Sequence, residues 1–329
     1  MTPLSVATTS DASPRLRGWL LWALWVALTV ALALSLPSLP WENAFRHVRQ
    51  VSAGWLTVAV VANLSILVFW TAEWRLLAPV SASVPFSRMF EVVATTAAVL
   101  NSVPFFAGEA SALALLMQRG GLSNGAAVSV LALDQLLVGL TKLGVVAAAA
   151  AYAPLPRQLL AGLSALALGV AALALILLPV AHRWSIFRTR LLARPSALAQ
   201  IAARVVALGA HLDAVRDWRR GRRAVLLSLA KKGAELAAII GVQVAFGFEP
   251  WLGAGLLVLA ALAVATMLPV TPGNVGVYEA TVFATYRFAG VPPDAALGMA
   301  VVQHLVFLLP MLLTGYFTLT FRQLRSSRP

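Results

Sequence analysis

The chain has 329 residues, of which 60% are hydrophobic and only 11% are charged, and it contains no cysteine. Several apolar runs of about 20 residues are typical of a membrane helix bundle and not of a soluble core, and the lack of cysteine excludes disulfides and thiolate metal sites. The net charge of +13 would suggest nucleic acid as a partner of a soluble protein, but in a membrane protein it indicates basic cytoplasmic segments, so we predict no nucleic-acid partner.

Six apolar segments are long enough to cross a membrane as helices. In chain order they cover about 19–39, 51–72, 122–152, 158–181, 224–247 and 294–321. Two further apolar regions, 85–119 and 251–289, are interrupted by proline and glycine into shorter pieces. A helix over 275–289 would rise only about 22 Å, whereas the hydrocarbon core is about 30 Å thick. These two regions therefore need another path through the membrane.

Lysine and arginine set the predicted orientation. The segment 182–223 contains ten arginines and two aspartates, and both termini are basic. We predict that all three are cytoplasmic. The predicted organisation is a cytoplasmic segment 1–18, a first membrane half 19–181, a basic loop 182–223, a second membrane half 224–321 and a cytoplasmic tail 322–329.

If the termini and the basic loop are cytoplasmic, neither 85–119 nor 251–289 can cross the membrane. Each must enter the membrane and leave it again on the same side. The first would open from the cytoplasm and the second from the outside. Non-helical backbone at such depth is tolerated only inside the protein or beside a water-filled cavity. The predicted fold class is therefore all-α: a polytopic membrane protein with about six transmembrane helices and two oppositely oriented re-entrant helical hairpins.

The two hairpins have the pattern of an inverted repeat. A shift of 170 residues places Glu109 on Glu279 and Asp134 on His304. Inverted repeats with broken helices that meet near the midplane are the architecture of many secondary transporters, whose binding sites lie at the breaks. The residues predicted to form the turns are Pro104 and Gly108 in the first hairpin, and Pro269, Pro272, Gly273, Asn274 and Gly276 in the second.

A resemblance to a known family rests on residues 268–297, which read LPVTPGNVGVYEATVFATYRFAGVPPDAAL. This stretch resembles the C-terminal signature of the lysylphosphatidylglycerol synthetase transmembrane-region family, which is flippase-like. That signature is a Pro-x-x-Pro-Gly-x-x-Gly-x-x-Glu run followed by Gly-Val. It is matched by Pro269, Pro272, Gly273, Gly276, Glu279, Gly290 and Val291.

The N-terminal signature of the family is matched in part. Pro104, Gly108 and Glu109 lie in VPFFAGEA. The stretch VLALDQLLVGL is similar to a segment where the family carries an acidic residue followed by arginine, but here Gln135 follows Asp134. The resemblance covers roughly 19–321.

The resemblance implies lipid handling. The best-known members couple this region to a soluble aminoacyltransferase domain, which modifies a lipid that the membrane part moves to the outer leaflet. This chain ends at Pro329, just past the last predicted span, so lipid movement is expected here without the aminoacyltransferase domain. The implied partners are membrane lipids, either anionic phospholipid or a lipid-linked phosphate, and a lipid-modifying enzyme.

Charges within apolar segments need a partner or a cavity, because one at the bilayer centre costs at least about 2.5–3.5 kcal/mol. Glu109 and Glu279 each begin a short helix, where they either cap the helix or belong to a polar pocket that binds phosphate, cations or a coupling proton. For His304 a hydrogen bond between helices is favoured over proton transfer. The predicted substrate-binding or transport residues are Glu109, Asp134, Lys142, Glu279, Arg287 and His304.

Other charges have local interpretations. Asp134 and Lys142 share a helix face, as an ion pair, with separate partners, or as a relay. Lys231 and Glu235 are predicted to pair at i, i+4. Arg287 either pairs with an acidic residue or reaches the outer surface.

The basic loop contains one periodic pattern, with apolar residues every three or four positions. We predict an amphipathic helix along the cytoplasmic interface, although the arginines also suffice as a topology signal. Its apolar positions are Leu198, Ile201, Val205, Leu208, Leu212 and Val215.

The motifs GxxxxGK[ST], HExxH and GxSxG are absent, and we predict no catalytic residue, metal or cofactor. Three functions stay open: a flippase-like lipid transporter, a membrane enzyme acting on a lipid-linked phosphate, and a non-transporting partner of a lipid-modifying enzyme. The first is favoured, in the bacterial inner membrane, and an oligomer is compatible with the sequence.

Overall fold

The computed structural model describes residues 41–103, 107–152, 157–192, 208–249, 251–267 and 271–326. Within these ranges the regular secondary structure is helical. The α-helices are α1 (Trp41–Arg49), α2 (Ala53–Leu77), α3 (Phe86–Ser102), α4 (Ala107–Gln118), α5 (Asn124–Tyr152), α6 (Arg157–Leu192), α7 (Asp213–Arg216), α8 (Trp218–Ala245), α9 (Leu252–Ala265), α10 (Val277–Phe288) and α11 (Pro293–Ser326). Short 3-10 turns cover Val80–Ala82, Leu208–His211 and Pro272–Asn274.

Four stretches of helix are long and apolar enough to cross a membrane, and the chain is a polytopic all-α membrane protein. They cover Ala53–Leu77, Asn124–Tyr152, Ala161–His182 and Pro293–Phe321, close to four of the six predicted spans. The predicted span 224–247 falls in α8, which is long enough but carries Lys231, Lys232 and Glu235. The predicted span 19–39 lies outside the described residues.

The two interrupted apolar regions each contain a pair of short helices in contact with one another, α3 with α4 and α9 with α10. Their bounds agree with the predicted regions 85–119 and 251–289 to within a residue or two. We call residues 103–106 the first break and residues 266–276 the second break. That each pair turns back within the membrane stays a prediction.

Helix α11 contacts both helix pairs, through α3 on one side and α10 on the other. Its approach to α3 depends on Gly315, because a Cβ there would lie 2.4 Å from the carbonyl oxygen of Ala94 and 2.4 Å from the Cβ of Ala98. Small residues at such crossings let helix backbones come close in membranes, where packing drives association. Nearby, the hydroxyls of Ser102 and Tyr316 lie 2.8 Å apart.

Pro310 lies inside α11. Because proline has no backbone N–H, the carbonyl of Val306 loses its partner four residues along the helix. Nδ2 of Asn63 in α2 donates to this carbonyl at 3.0 Å and to the carbonyl of Phe307 at 3.1 Å. The Asn63 side chain is buried, so an α2 residue satisfies an acceptor that the proline leaves free.

The region around the basic segment 182–223 differs from the prediction in two ways. Helix α6 continues to Leu192, although the sequence placed the start of the loop at residue 182. In the predicted amphipathic helix, 198–207 lies outside the described residues, and Leu212 lies between a 3-10 turn and the short helix α7. Leu212 is fully buried in the main apolar core, so this position packs onto the bundle and does not face an interface.

One arginine of the basic segment has a defined structural role. Nη2 of Arg220 donates to the carbonyls of Leu76 and Ala78, at 2.6 and 2.9 Å, where α2 ends. The last carbonyls of a helix lack intrahelical donors and carry partial negative charge, so a guanidinium stabilises them. Arg220 therefore has a structural role in addition to the predicted topology signal.

Candidate functional site

The second break contains a tight turn in left-handed backbone. Gly273, Asn274 and Gly276 have φ of 59°, 56° and 86°. Glycine adopts this conformation without steric cost, and asparagine tolerates it better than most residues. The hydroxyl of Thr271 donates to the carbonyl of Val275 at 2.9 Å across the turn.

Glu279 and His304 hold this turn from two sides. Oε2 of Glu279 accepts from the backbone N–H of Gly276 at 2.7 Å, so the carboxylate caps the start of α10. Oε1 of Glu279 lies 2.7 Å from Nδ1 of His304, whose Nε2 lies 2.9 Å from the carbonyl oxygen of Gly273. The His304 side chain is only 3% exposed and that of Glu279 27% exposed. Capping and the predicted interhelical hydrogen bond therefore occur together.

The hydrogen bonds of His304 fix how many protons it shares with Glu279. The Gly273 carbonyl can only accept, so Nε2 of His304 carries a proton. Oε1 of Glu279 and Nδ1 of His304 then need one proton between them to form a hydrogen bond. The pair is an ionised carboxylate with an imidazolium, or a protonated carboxyl with a neutral imidazole. Either form has no net charge and places one proton between the two side chains beside the turn.

A buried polar chain surrounds His304. The ring of Tyr278 stacks on the imidazole with centroids 4.3 Å apart. Nε2 of Gln303 donates to the Tyr278 hydroxyl at 3.1 Å, and the Tyr286 hydroxyl donates to Oε1 of Gln303 at 3.2 Å. Nε2 of Gln243 lies 3.4 Å from the Tyr286 hydroxyl. The sequence analysis did not predict these hydrogen bonds. Tyr278 and Tyr286, eight residues apart on an apolar helix, were a signal for them.

The second break touches the end of α3. A Cβ on Gly273 would lie 3.2 Å from the carbonyl oxygen of Asn101 and 3.1 Å from a side-chain carbon of Leu308. Asn101 is in the last turn of α3, directly before the first break. The second break therefore packs against the last turn of α3, and Leu308 of α11 lies beside the same glycine.

Glu109 begins α4 on the other side of the first break, where the sequence placed it. Its Oε2 is buried without a hydrogen-bond partner among the described residues. Residues 104–106 and 268–270, with Pro104 and Pro269, lie outside the described residues. A cavity shared by Glu109 and Glu279 therefore stays a prediction. Gly108 packs closely on α3, since a Cβ there would lie 2.4 Å from the Leu100 side chain.

Asp134 belongs to a different cluster. Nζ of Lys231 lies 3.3 Å from Oδ1 of Asp134 and also contacts Oε2 of Glu73. The three residues join α5, α8 and α2 and are at most 8% exposed. The predicted pair of Lys231 with Glu235 is wrong, because Lys232 pairs with Glu235 at 2.5 Å.

The remaining candidates do not join the Glu279–His304 pair. Nη1 of Arg287 donates to the carbonyl of Val291 at 2.6 Å, just after the end of α10. The Arg287 side chain is exposed. Lys142 is not paired with Asp134 and lines a groove between α5 and α6. The structure thus joins two of the six predicted residues at one turn and separates Asp134, Lys142 and Arg287 from that pair.

One protein family matches the chain over most of its length. The family model described as lysylphosphatidylglycerol synthase TM region matches residues 20–315, which include both breaks, Glu279 and His304. None of the curated proteins compared with the chain is significantly similar. A family model that covers most of the chain, together with four apolar helices of spanning length, identifies a membrane protein related to lipid metabolism. The chain belongs to the lysylphosphatidylglycerol synthase TM region family.

Proposed function

We propose that the protein is a flippase-like transporter, and not an enzyme, that moves a lipid headgroup between leaflets at its two helix breaks. The observation that carries this proposal is the packing of the second break on the end of α3, where Gly273 lies close to the Asn101 carbonyl. Broken helices that meet inside a membrane protein provide backbone polar groups where continuous helices provide none. Secondary transporters use this arrangement to bind their substrates.

The chemistry of the second break suits a headgroup that must lose its water. The Glu279–His304 pair presents hydrogen-bonding groups without net charge, so it costs less in a low-dielectric site than a lone carboxylate. An arriving charged group would compete for the proton that the two side chains share. Across the breaks, the unpartnered Oε2 of Glu109 offers an acceptor. The acyl chains would stay in the bilayer while the headgroup crosses between these groups.

The proposal includes a placement in the cell. We infer a multi-pass protein of the bacterial inner membrane, with both termini in the cytoplasm and the two helix pairs as re-entrant hairpins of opposite orientation. This follows from the arginine-rich segments and the positive-inside rule.

A headgroup-exchange assay tests the function. Purified protein is reconstituted into vesicles with phosphatidylglycerol that carries a fluorescent headgroup, and quenching from outside reports the fraction that changes leaflet. Wild type should exchange headgroups faster than protein-free vesicles, Glu279→Gln should be folded but slow, and Glu249→Gln, a change at an exposed glutamate, should match wild type.

Wild-type vesicles that exchange no faster than protein-free ones would overturn the proposal. Product formed from a lipid-linked phosphate by the purified protein would establish the enzyme alternative. Headgroup movement that needs a co-reconstituted lipid-modifying enzyme would indicate the partner alternative.

A further inference from the structure

We propose that the groove between α5 and α6 binds an anionic phospholipid, with the lipid phosphate at Lys142. This inference rests on the proposed function and names a site where a lipid headgroup binds during transport. It differs from the Glu279–His304 pair in its residues and its chemistry.

The groove is defined by two helices and the edge of the second break. Gln135 and Lys142 line it from α5, and Gly169 and Val170 line it from α6. Met267, in the second break, closes one side. The cavity volume is about 220 Å³, less than the roughly 300–1,000 Å³ of sites that enclose a whole small molecule, so only part of a lipid would enter it.

Lys142 is deep along its helix. It lies 18 residues after the start of α5 at Asn124 and 10 residues before its end at Tyr152, which is about 27 Å and about 15 Å at 1.5 Å per residue. A charge at this depth is costly unless it has a counter-charge or water.

In the part of the chain that the structure describes, no carboxylate lies within ion-pair distance of Lys142. The charges acting on it come from Lys232 and Glu235, and these two pair with one another at 2.5 Å. Lys142 therefore faces the groove as a cation that an anion would complement.

The walls of the groove favour a lipid over a free anion. Apart from Lys142 and Gln135, the lining side chains are apolar or absent, namely Val138, Gly139, Ala165, Leu166, Gly169, Val170, Leu173 and Met267. A free phosphate would be dehydrated there with few donors to replace its water. A phospholipid would place its phosphate at Lys142 and cover the apolar wall with an acyl chain, which adds the favourable burial that a small ion lacks.

Two variants test the charge and the space separately. Lys142→Met removes the charge and keeps most of the length of the unbranched side chain. Gly169→Leu fills the groove without a clash, because a Cβ at Gly169 meets no atom within 4 Å. Gly144→Leu is the matched control: it is also an open position, on α5, and it does not line the groove.

The measurement is native mass spectrometry of full-length protein after incubation with equal amounts of phosphatidylglycerol and phosphatidylcholine. Wild type and Gly144→Leu should retain phosphatidylglycerol preferentially. Lys142→Met should retain the two lipids equally, and Gly169→Leu should retain less of both. Thermal unfolding in detergent shows whether each variant is folded. Inorganic phosphate should not displace the bound phosphatidylglycerol.

The proposal is wrong if folded Lys142→Met prefers phosphatidylglycerol as strongly as Gly144→Leu, or if folded Gly169→Leu retains as much lipid as Gly144→Leu. It is also wrong if inorganic phosphate displaces the lipid, which would indicate a simple anion site. Wild type that binds phosphatidylglycerol through Lys142 yet exchanges no headgroups would reject the transport function alone. Wild type that exchanges headgroups while all variants bind lipid equally would reject this site alone.

Discussion

Nδ1 of His304 lies 2.7 Å from Oε1 of Glu279, and this contact joins α11 to the first turn of α10. Glutamine at position 279 can accept from the Gly276 N–H and donate to a neutral His304, so Glu279→Gln should unfold thermally near the wild-type temperature. Glu279→Ala removes the cap and should lower the free energy of unfolding by about 1 kcal/mol or more. Equal destabilisation by the two variants would show that the carboxylate charge, and not the hydrogen bonding, holds the turn.

The second break depends on Gly273 for both conformation and space. Valine there must adopt φ near 59° and place a Cβ 3.2 Å from the Asn101 carbonyl oxygen. Left-handed backbone costs an ordinary residue about 1–2 kcal/mol, and more when the residue is β-branched. Gly273→Val should therefore lower the unfolding temperature in detergent, whereas Gly144→Val, at an open helical position, should not. Wild-type stability of Gly273→Val would mean that the turn has another backbone conformation.

The buried cluster of Glu73, Asp134 and Lys231 contains two carboxylates and one ammonium. Lys231→Met leaves two carboxylates buried together, so we expect a loss of about 3–5 kcal/mol, as for other broken buried pairs. Glu73→Gln leaves the Lys231–Asp134 pair and should cost clearly less. Thermal unfolding of the two variants checks the order, and a more stable Lys231→Met variant would contradict the assigned ion pairs.

This cluster also shows where sequence reasoning stops. The i, i+4 rule considers one helix at a time, so it assigned Lys231 to Glu235. Successive helical residues point about 100° apart, and that rotation turns Lys231 toward α2 and α5 while Lys232 pairs with Glu235. The choice depends on how three helices pack, which no local pattern contains.

The helix pairs were easier to predict, because the residue types that interrupt helices can be identified in the local sequence. Proline and glycine lie between α9 and α10, and α10 begins directly after Gly276. The link from Glu279 to His304 spans 25 residues and two helices, and the repeat pattern suggested only that both residues matter. Their direct contact required the three-dimensional fold.

Topology can be tested by labelling single cysteines, since the chain has none of its own. A cysteine at Ser123 should react with an impermeant maleimide only from the cytoplasmic side. A cysteine at Glu249, an exposed position before α9, should react only from outside. Cytoplasmic labelling at position 249 would reject the second re-entrant hairpin, because that hairpin must open from the outside.

Asn63 and Pro310 should be coupled energetically, although they lie on different helices. In the wild type, Asn63→Leu leaves the buried carbonyl of Val306 without a donor, which should cost about 1–3 kcal/mol. In a Pro310→Ala background, the new backbone N–H at position 310 bonds to the same carbonyl. Asn63→Leu should then cost less, because the acceptor keeps a partner. A double-mutant cycle by thermal unfolding measures the difference. Additive effects would show that the Asn63 side chain does not replace the hydrogen bond that Pro310 removes.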